Sequence, residues 1–83
     1  MSDWSVYILK CNDDSYYTGI TNDLKKRIAD HESGNGAKYT RGRGPLTLMY
    51  TEYFENRSAA SKREFAIKKL SRIEKEHLIT QDL

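Results

Sequence analysis

The stretch that decides the fold is WSVYILKCNDDSYYTGIT, residues 4–21. Residues 4–11 and 15–21 are rich in aromatic and β-branched side chains, which favour strands. Between them stands Asn12-Asp13-Asp14, a sequence typical of turns. The stretch therefore predicts a β-hairpin.

The length of the hairpin loop sets which side chains share a face of the sheet. With an odd-numbered loop, Tyr7 pairs with Gly19 and Leu9 pairs with Tyr17, so both phenols lie on one face. An even-numbered loop would place the two phenols on opposite faces. Gly19 opposite Tyr7 leaves room for the ring or for a phosphate.

The other elements follow from residue periodicity and from end signals. They are a helix over 23–32 capped by Asn22, a loop over 33–45, a strand over 46–54, a helix from an Asn56 or Ser58 cap to about Leu70, and a helix over 71–80. The order β-β-α-β-α-α predicts an α+β fold, with a small three-stranded antiparallel sheet flanked by helices.

Bulk properties narrow the class of protein. The 83 residues suit one domain over 1–83. No apolar run approaches the roughly 20 residues that a membrane span needs, so we expect no membrane partner and a cytoplasmic location. Cys11 is the single cysteine and cannot form an internal disulfide. Cys11, His31 and His77 show no zinc-ligand spacing.

Positive charge is concentrated in two segments, although the net charge is only +2. The predicted loop over 33–45 contains Lys38, Arg41 and Arg43 and no acid. Residues 56–76 hold seven basic residues against three acids. Such clusters favour an anionic partner, and an ordinary solvated surface explains them equally well.

Arg27 and His31 are four residues apart on the first predicted helix, so they point the same way. They share an apolar stripe with Leu24 and Ile28, which turns that face toward the sheet. An arginine there either extends its charge to solvent or meets an anion. His31 alone is equally explained as a histidine near the C-terminal end of a helix.

Glu64 is the most informative acid. It lies between Ala60 and Ile67, at the edge of the apolar stripe of the second predicted helix. A carboxylate in that position is costly unless it is paired or coordinates a cation. An ion pair with an arginine and a metal site both satisfy this requirement.

Taken together and in order, these residues resemble the GIY-YIG endonuclease family over about residues 4–80. The steps from Tyr7 to Tyr17, Tyr17 to Arg27 and Arg27 to His31 are 10, 10 and 4 residues, and Glu64 follows 33 residues later. The sequence departs from the family pattern by having Ser5-Val6-Tyr7 and Tyr17-Thr18-Gly19 as its two triplets, and by lacking an asparagine beyond Asn56.

The resemblance implies a catalytic set of Tyr7, Tyr17, Arg27, His31 and Glu64. Glu64 would hold a single Mg²⁺ or Mn²⁺ ion, and Arg27 would neutralise charge on the phosphate. Tyr7 would take the proton of the attacking water with His31 as final acceptor, while Tyr17 would position the water or the phosphate. Which of Tyr7, Tyr17 and His31 is the general base stays open.

We expect further residues to contact nucleic acid, because flexible backbone, basic groups and a stackable ring suit that partner. They are Gly19, Lys38, Tyr39, Arg41, Arg43 and Lys68. The remaining aromatic side chains, including Tyr53 and Phe65, are expected to be packing residues.

The function that the resemblance implies is metal-dependent hydrolysis of nucleic acid phosphodiesters, with DNA favoured over RNA, in repair or nucleic acid processing. Two alternatives remain: a catalytically weak nucleic acid binding module, and a structural domain in which Arg27 and Glu64 form a buried ion pair. A protein partner and the oligomeric state are left open.

Overall fold

The computed structural model describes residues 3–34, 42 and 44–81. It confirms the predicted order β-β-α-β-α-α. The elements are β1 (Trp4–Lys10), β2 (Tyr16–Thr21), α1 (Leu24–Glu32), β3 (Thr47–Phe54), α2 (Arg57–Lys68) and α3 (Arg72–Gln81). None of the helices in this part of the chain is long and apolar enough to cross a membrane. The cytoplasmic location stays a prediction.

The sheet is antiparallel, with β1 in the centre and the order β2-β1-β3. Tyr7 pairs with Gly19, and Leu9 pairs with Tyr17. The register expected for an odd-numbered loop is therefore the one present, and both phenols lie on the same face of the sheet.

Each face of the sheet supports its own core. Val6 and Ile8 pack with Ala60 and Ile67 of α2 and with Ile79 of α3. On the other face is a second cluster, whose buried members are Tyr7, Leu9, Cys11 and Leu46 and whose partly buried members are Tyr17, Leu24 and Ile28. Because Tyr7 and Tyr17 belong to the second cluster, α1 is the helix that covers the phenols.

Helix α1 begins one residue later than the sequence predicts, so the expectation that Asn22 caps it is wrong. The Asp23 side chain accepts a hydrogen bond from the Lys26 amide at 3.2 Å and is the N-cap. Thr21 Oγ1 in turn accepts a hydrogen bond from the Asp23 amide at 3.0 Å. This contact fixes Asp23 in the cap position and leaves Asn22 exposed.

Helices α2 and α3 each begin at a residue whose side chain caps the helix N-terminus, so they form two helices rather than one. Asn56 caps α2 by accepting from the Ala59 amide at 2.9 Å. The Ser71 amide donates to Glu74 at 2.8 Å, and the Glu74 amide donates to Ser71 Oγ at 3.2 Å. This reciprocal pair is a capping box, and it explains the predicted break near Ser71.

Two buried threonines of β2 make opposite contributions to stability. The Thr18 hydroxyl is buried and has no hydrogen-bond partner within the described part of the chain, whereas the Thr21 hydroxyl accepts from the Asp23 amide. A buried unsatisfied hydroxyl is costly, and an apolar group of the same shape removes that cost. We expect Thr18→Val to raise the free energy of unfolding by about 1 kcal/mol, measured by denaturant titration.

Thr21→Val is the matched control for this prediction. It makes the same chemical change on the same strand, but it removes the acceptor of the Asp23 amide. We expect it to lower the free energy of unfolding by about 1 kcal/mol. A loss of stability in both variants would contradict the assignment of Thr18 as unsatisfied.

Candidate active site

Three aromatic rings form a compact cluster between the sheet and α1. The ring centroids are 6.3 Å apart for Tyr7 and Tyr17, 5.8 Å for Tyr7 and His31, and 5.2 Å for Tyr17 and His31. Tyr7 is 0% exposed and His31 is 1% exposed, while Tyr17 is half-buried. Burial excludes the simpler interpretation of His31 as a surface histidine at a helix end.

The Tyr7 hydroxyl lies at the centre of the polar contacts. It is 2.8 Å from His31 Nε2. The Arg27 guanidinium lies beside the hydroxyls of Tyr7 and Tyr17, and both phenols raise its pKa. Because a guanidinium can only donate, we assign the Tyr7 proton to the hydrogen bond with His31 and take Nε2 as the unprotonated ring nitrogen.

The electrostatics of the cluster agree with this proton arrangement. Burial raises the pKa of Tyr7 to about 12, although the Arg27 hydrogen bond acts in the opposite direction. Burial, followed by the Arg27 charge, lowers the pKa of His31 below 6.5. The hydrogen bond to Tyr7 is the largest of the causes that raise the pKa of Arg27. At neutral pH the cluster therefore contains a neutral phenol, a neutral imidazole that can accept a proton, and a cation.

The absence of a side chain at Gly19 allows the Tyr7 ring to lie directly against the backbone of β2. A Cβ atom at Gly19 would lie 2.5 Å from Tyr7 Oη, 2.7 Å from Tyr7 Cζ and 3.1 Å from Tyr17 Cε2. These distances are shorter than van der Waals contacts, so only glycine fits opposite this phenol. The close approach bears out the sequence argument that Gly19 makes room for the ring.

Glu64 lies on α2 with its side chain 21% exposed. Its carboxylate is 3.2 Å from Lys68 Nζ, one helical turn away. It is also close enough to Tyr7 for its negative charge to contribute to the raised pKa of the phenol, after the larger effect of burial. Within the described residues Glu64 pairs with Lys68 and not with Arg27, which does not support the interpretation as a structural Arg27–Glu64 pair.

The Glu64 carboxylate is a candidate ligand for a Mg²⁺ or Mn²⁺ ion. Residues 3–34, 42 and 44–81 contain no group of three or more His, Cys, Asp or Glu side chains that could hold a metal. Mg²⁺ does not need such a cage, because one or two carboxylates together with waters and substrate phosphates usually bind it. A half-buried carboxylate whose partner is one flexible lysine can supply that single ligand.

A polar cleft of about 240 Å³ adjoins Arg27 at the start of α1. Its lining residues are Thr21, Asn22, Asp23, Lys26, Arg27 and Asp30. Only Arg27 among them is a site residue predicted from the sequence. The spacing of residues 23, 26, 27 and 30 places them on one face of a helix, and this pattern in the sequence indicates that they lie together.

The other residues expected to contact nucleic acid are only partly described. Lys38, Tyr39, Arg41 and Arg43 lie outside the described residues. Lys68 is exposed on α2 beside Glu64. The structure therefore brings Tyr7, Tyr17, Arg27 and His31 into one cluster, with Glu64 close enough to influence it.

Two of the aromatic side chains do not pack as predicted. Phe65 is 63% exposed and Tyr53 is 70% exposed. Phe65 follows Glu64 on α2, where the buried positions of the helix are Ala60 and Ile67. Its position lies outside that stripe, so the expectation that it is a packing residue is wrong.

The burial of His31 makes the stability of the protein depend on pH. The folded protein holds the pKa of His31 below the ordinary value of 6.5, so the unfolded chain binds more protons as the pH falls. This contribution to stability is complete above pH 6.5 and is lost as the pH decreases below it. We expect denaturant titrations to show a lower free energy of unfolding at about pH 5.5 than at about pH 7.5.

The variant that tests this prediction is His31→Gln, in which we expect the decrease between the two pH values to be smaller. His77→Gln removes an exposed imidazole and serves as the control, with the wild-type pH dependence expected. An unchanged decrease in His31→Gln would show that other groups carry the effect.

The comparisons with known proteins agree with this geometry. Residues 3–77 match the family model of the GIY-YIG catalytic domain. The chain is 61% identical over 75 residues to a UPF0213 protein of Clostridium perfringens, covering 90% of this chain and 81% of that protein. It is 55% identical over 73 residues to a UPF0213 protein of Halobacterium salinarum, covering 88% and 95% of the two chains.

Two solution NMR structures are similar to this one. The protein EF2693 from E. faecalis has a TM-score of 0.68 and 42% identity, with 98% of this chain and 86% of that chain covered. A UPF0213 protein from Bacillus halodurans has a TM-score of 0.63 and 49% identity, with 95% and 84% covered.

Proposed function

The chain belongs to the GIY-YIG family, whose catalytic domain is a nuclease domain, and we propose that it is a metal-dependent endonuclease that hydrolyses nucleic acid phosphodiesters. DNA is the favoured substrate over RNA, and repair or nucleic acid processing is the corresponding role. Nucleases of this family are generally dependent on a divalent metal, and the Glu64 carboxylate can supply one ligand to a single Mg²⁺ or Mn²⁺ ion.

The observation that carries the proposal is the hydrogen bond between Tyr7 Oη and His31 Nε2, at 2.8 Å. A phenol with a pKa of about 12 is a poor base by itself, because it holds its own proton at neutral pH. Beside the neutral His31 imidazole, the Tyr7 hydroxyl can donate its own proton to Nε2 while it accepts another proton. A buried relay of this kind serves proton transfer, and neither binding nor folding requires it.

In this proposal Tyr7 accepts the proton of the attacking water, directly or through the Tyr17 hydroxyl, and its own proton moves to His31 Nε2. The lowered pKa of His31 keeps the imidazole unprotonated at neutral pH, so it is ready to accept. Tyr17 is half-buried and orients the water or the phosphate by hydrogen bonding.

Arg27 is the residue that binds the phosphate. Its guanidinium is half-buried and is held against the two phenols, so its position is fixed before substrate arrives. A fixed cation at this point stabilises the charge that develops on the phosphate. Glu64 holds the metal ion, which when bound supplies Lewis-acid stabilisation of the phosphate and of the leaving oxygen.

The competing proposal is a nucleic acid binding module without useful turnover. The exposed basic residues of α2 are compatible with either function. The inward position of Glu64 favours the nuclease, because a carboxylate repels phosphate unless a cation lies between them. Binding without metal-dependent cleavage is therefore the result that would favour the binding module.

The experiment that tests the proposal uses end-labelled DNA and RNA of the same sequence, each as single strand and as duplex. The protein is incubated with Mg²⁺ or Mn²⁺, and in parallel with EDTA. We expect cleavage in the presence of metal and none in EDTA, with DNA cut faster than RNA. Tight binding to any of these substrates without cleavage in either metal would contradict the proposal.

A further inference from the structure

The side chain of Phe65 presents an aromatic face to solvent. It is 63% exposed, and the Lys69 ammonium lies 4.3 Å from its ring centroid. Burying a phenylalanine is worth roughly 1.5–3 kcal/mol, so this ring makes little contribution to the core. The ring instead makes a cation–π contact with Lys69 on the helix surface.

Phe65 directly follows Glu64, the residue that we assign to the metal. Glu64 contacts Lys68 and Phe65 contacts Lys69, each pair being four residues apart. The two Cα atoms are about 3.8 Å apart, and the two side chains diverge by about 100° around the helix. A strand that leaves a phosphate at Glu64 and crosses the exposed surface of α2 therefore comes within reach of the Phe65 ring.

The charge around the ring suits a polyanion. Lys62, Lys68 and Lys69 are exposed on the same helix and its C-cap, and Glu64 is the only acid among residues 57–69. Exposed lysines therefore precede and follow Phe65 along the helix, and one of them, Lys69, contacts the ring. Basic groups along a track with an aromatic platform between them are what unpaired nucleotides bind.

We propose that Phe65, supported by Lys69, is a stacking platform for a nucleobase next to the phosphate held at Glu64. The inference rests on the proposed function. It adds a residue that binds the substrate, and it adds that the bound nucleotide is unpaired. A base can lie flat on the ring only when it is not stacked between its neighbours. Nucleotides beside the cleaved bond are therefore bound unpaired.

The test measures binding in EDTA, so that cleavage does not contribute. A fluorescein-labelled thymidine oligonucleotide of about 12 nucleotides is titrated with protein, and anisotropy gives the Kd. We expect Phe65→Ala to weaken binding at least about fivefold, because base stacking on an aromatic side chain is worth about 1–3 kcal/mol. Phe65→Trp is expected to restore wild-type affinity.

Two controls separate stacking from a general effect. Tyr53→Ala removes an aromatic side chain that is even more exposed, on strand β3, and is expected to leave the Kd unchanged. A set of oligonucleotides in which one base at a time is missing identifies the stacked position. At that position the missing base is expected to weaken wild-type binding and to leave binding by Phe65→Ala unaffected.

The outcomes distinguish this inference from the proposed function. If the wild-type protein binds and Phe65→Ala binds equally well, the platform is wrong while the nuclease proposal stands. If the wild-type protein binds no oligonucleotide, the platform is wrong, and metal-dependent cleavage of the labelled substrates decides the nuclease proposal separately. If sedimentation shows a wild-type dimer that Phe65→Ala converts to a monomer, the ring serves contact between two copies and the platform is overturned.

Discussion

Replacing Glu64 with glutamine is expected to lower the rate of metal-dependent cleavage by at least about 10³-fold, because a metal at the phosphate supplies several kcal/mol of charge stabilisation. Glutamine keeps the size of the side chain and removes the charge that holds the cation. The stability of the protein is expected to change by no more than about 0.5 kcal/mol, since the Lys68 pair is a helix-surface contact. Cleavage rate, Mn²⁺ affinity and denaturant titration are the three measurements.

The matched control is Glu52→Gln, at a second half-buried carboxylate. The Glu52 carboxylate accepts one bifurcated hydrogen bond from Arg63 Nε–H, at 3.0 and 3.2 Å, lies 2.9 Å from Arg63 Nη2, and accepts from the Tyr50 hydroxyl. Glu52→Gln removes the charge that accepts these hydrogen bonds. We expect it to lower the free energy of unfolding by about 1.5–3 kcal/mol and to leave the cleavage rate unchanged. Equal losses of activity in the two variants, or a stability loss of about 3 kcal/mol in Glu64→Gln, would show that Glu64 is a structural residue.

Introducing a methyl group at Gly19 is expected to lower the cleavage rate by about 10²-fold, because it displaces the reacting phenol. The new Cβ would lie 2.5 Å from Tyr7 Oη. The ring is buried and its hydroxyl is hydrogen-bonded to His31, so it cannot move aside without loss of that contact. Steady-state kinetics should show the effect in kcat, with substrate Kd nearly unchanged.

The change at Gly19 is also expected to cost about 1–3 kcal/mol of stability through overpacking. Gly44→Ala is the control, because a Cβ at Gly44 meets no atom within 4 Å. We expect Gly44→Ala to have wild-type rate and stability. A Gly19→Ala enzyme of wild-type rate would mean that the position of the Tyr7 hydroxyl is not critical.

The hairpin shows how much of the fold the sequence predicts. Strand-favouring residues on both sides of Asn12–Asp14 predict the hairpin, and an odd-numbered loop predicts the pairing of Tyr7 with Gly19 that the structure shows. The pairing then places Tyr7 and Tyr17 on one face without any knowledge of the helices. Local rules suffice here because strand register is a local property of a hairpin.

Other features depend on contacts that the sequence does not display. Helix spacing predicted that Arg27 and His31 point the same way, but not that His31 is buried with Nε2 at the Tyr7 hydroxyl. Asn22 and Asp23 are equally good caps by residue type, and only the Thr21 contact to the Asp23 amide decides between them. Tertiary contacts between distant elements therefore determine the details of the site.

At Phe65 the sequence predicts a contact that the structure does not contain. The apolar character of Phe65 predicts burial, because phenylalanine is usually found inside proteins. The buried side of α2 is already formed by Ala60 and Ile67, and residue 65 does not lie on that side. An exposed aromatic ring beside a candidate metal ligand became evident only when the orientation of the helix was known.

The most direct test of the proposed nuclease is the initial rate at which the wild-type protein nicks supercoiled plasmid in Mg²⁺, measured beside Glu64→Gln purified in the same way. We predict nicking by the wild-type protein that EDTA abolishes, and a rate for Glu64→Gln at least about 10³-fold lower. Equal nicking by the two proteins, or nicking that persists in EDTA, would contradict a catalytic centre in which Glu64 holds the metal.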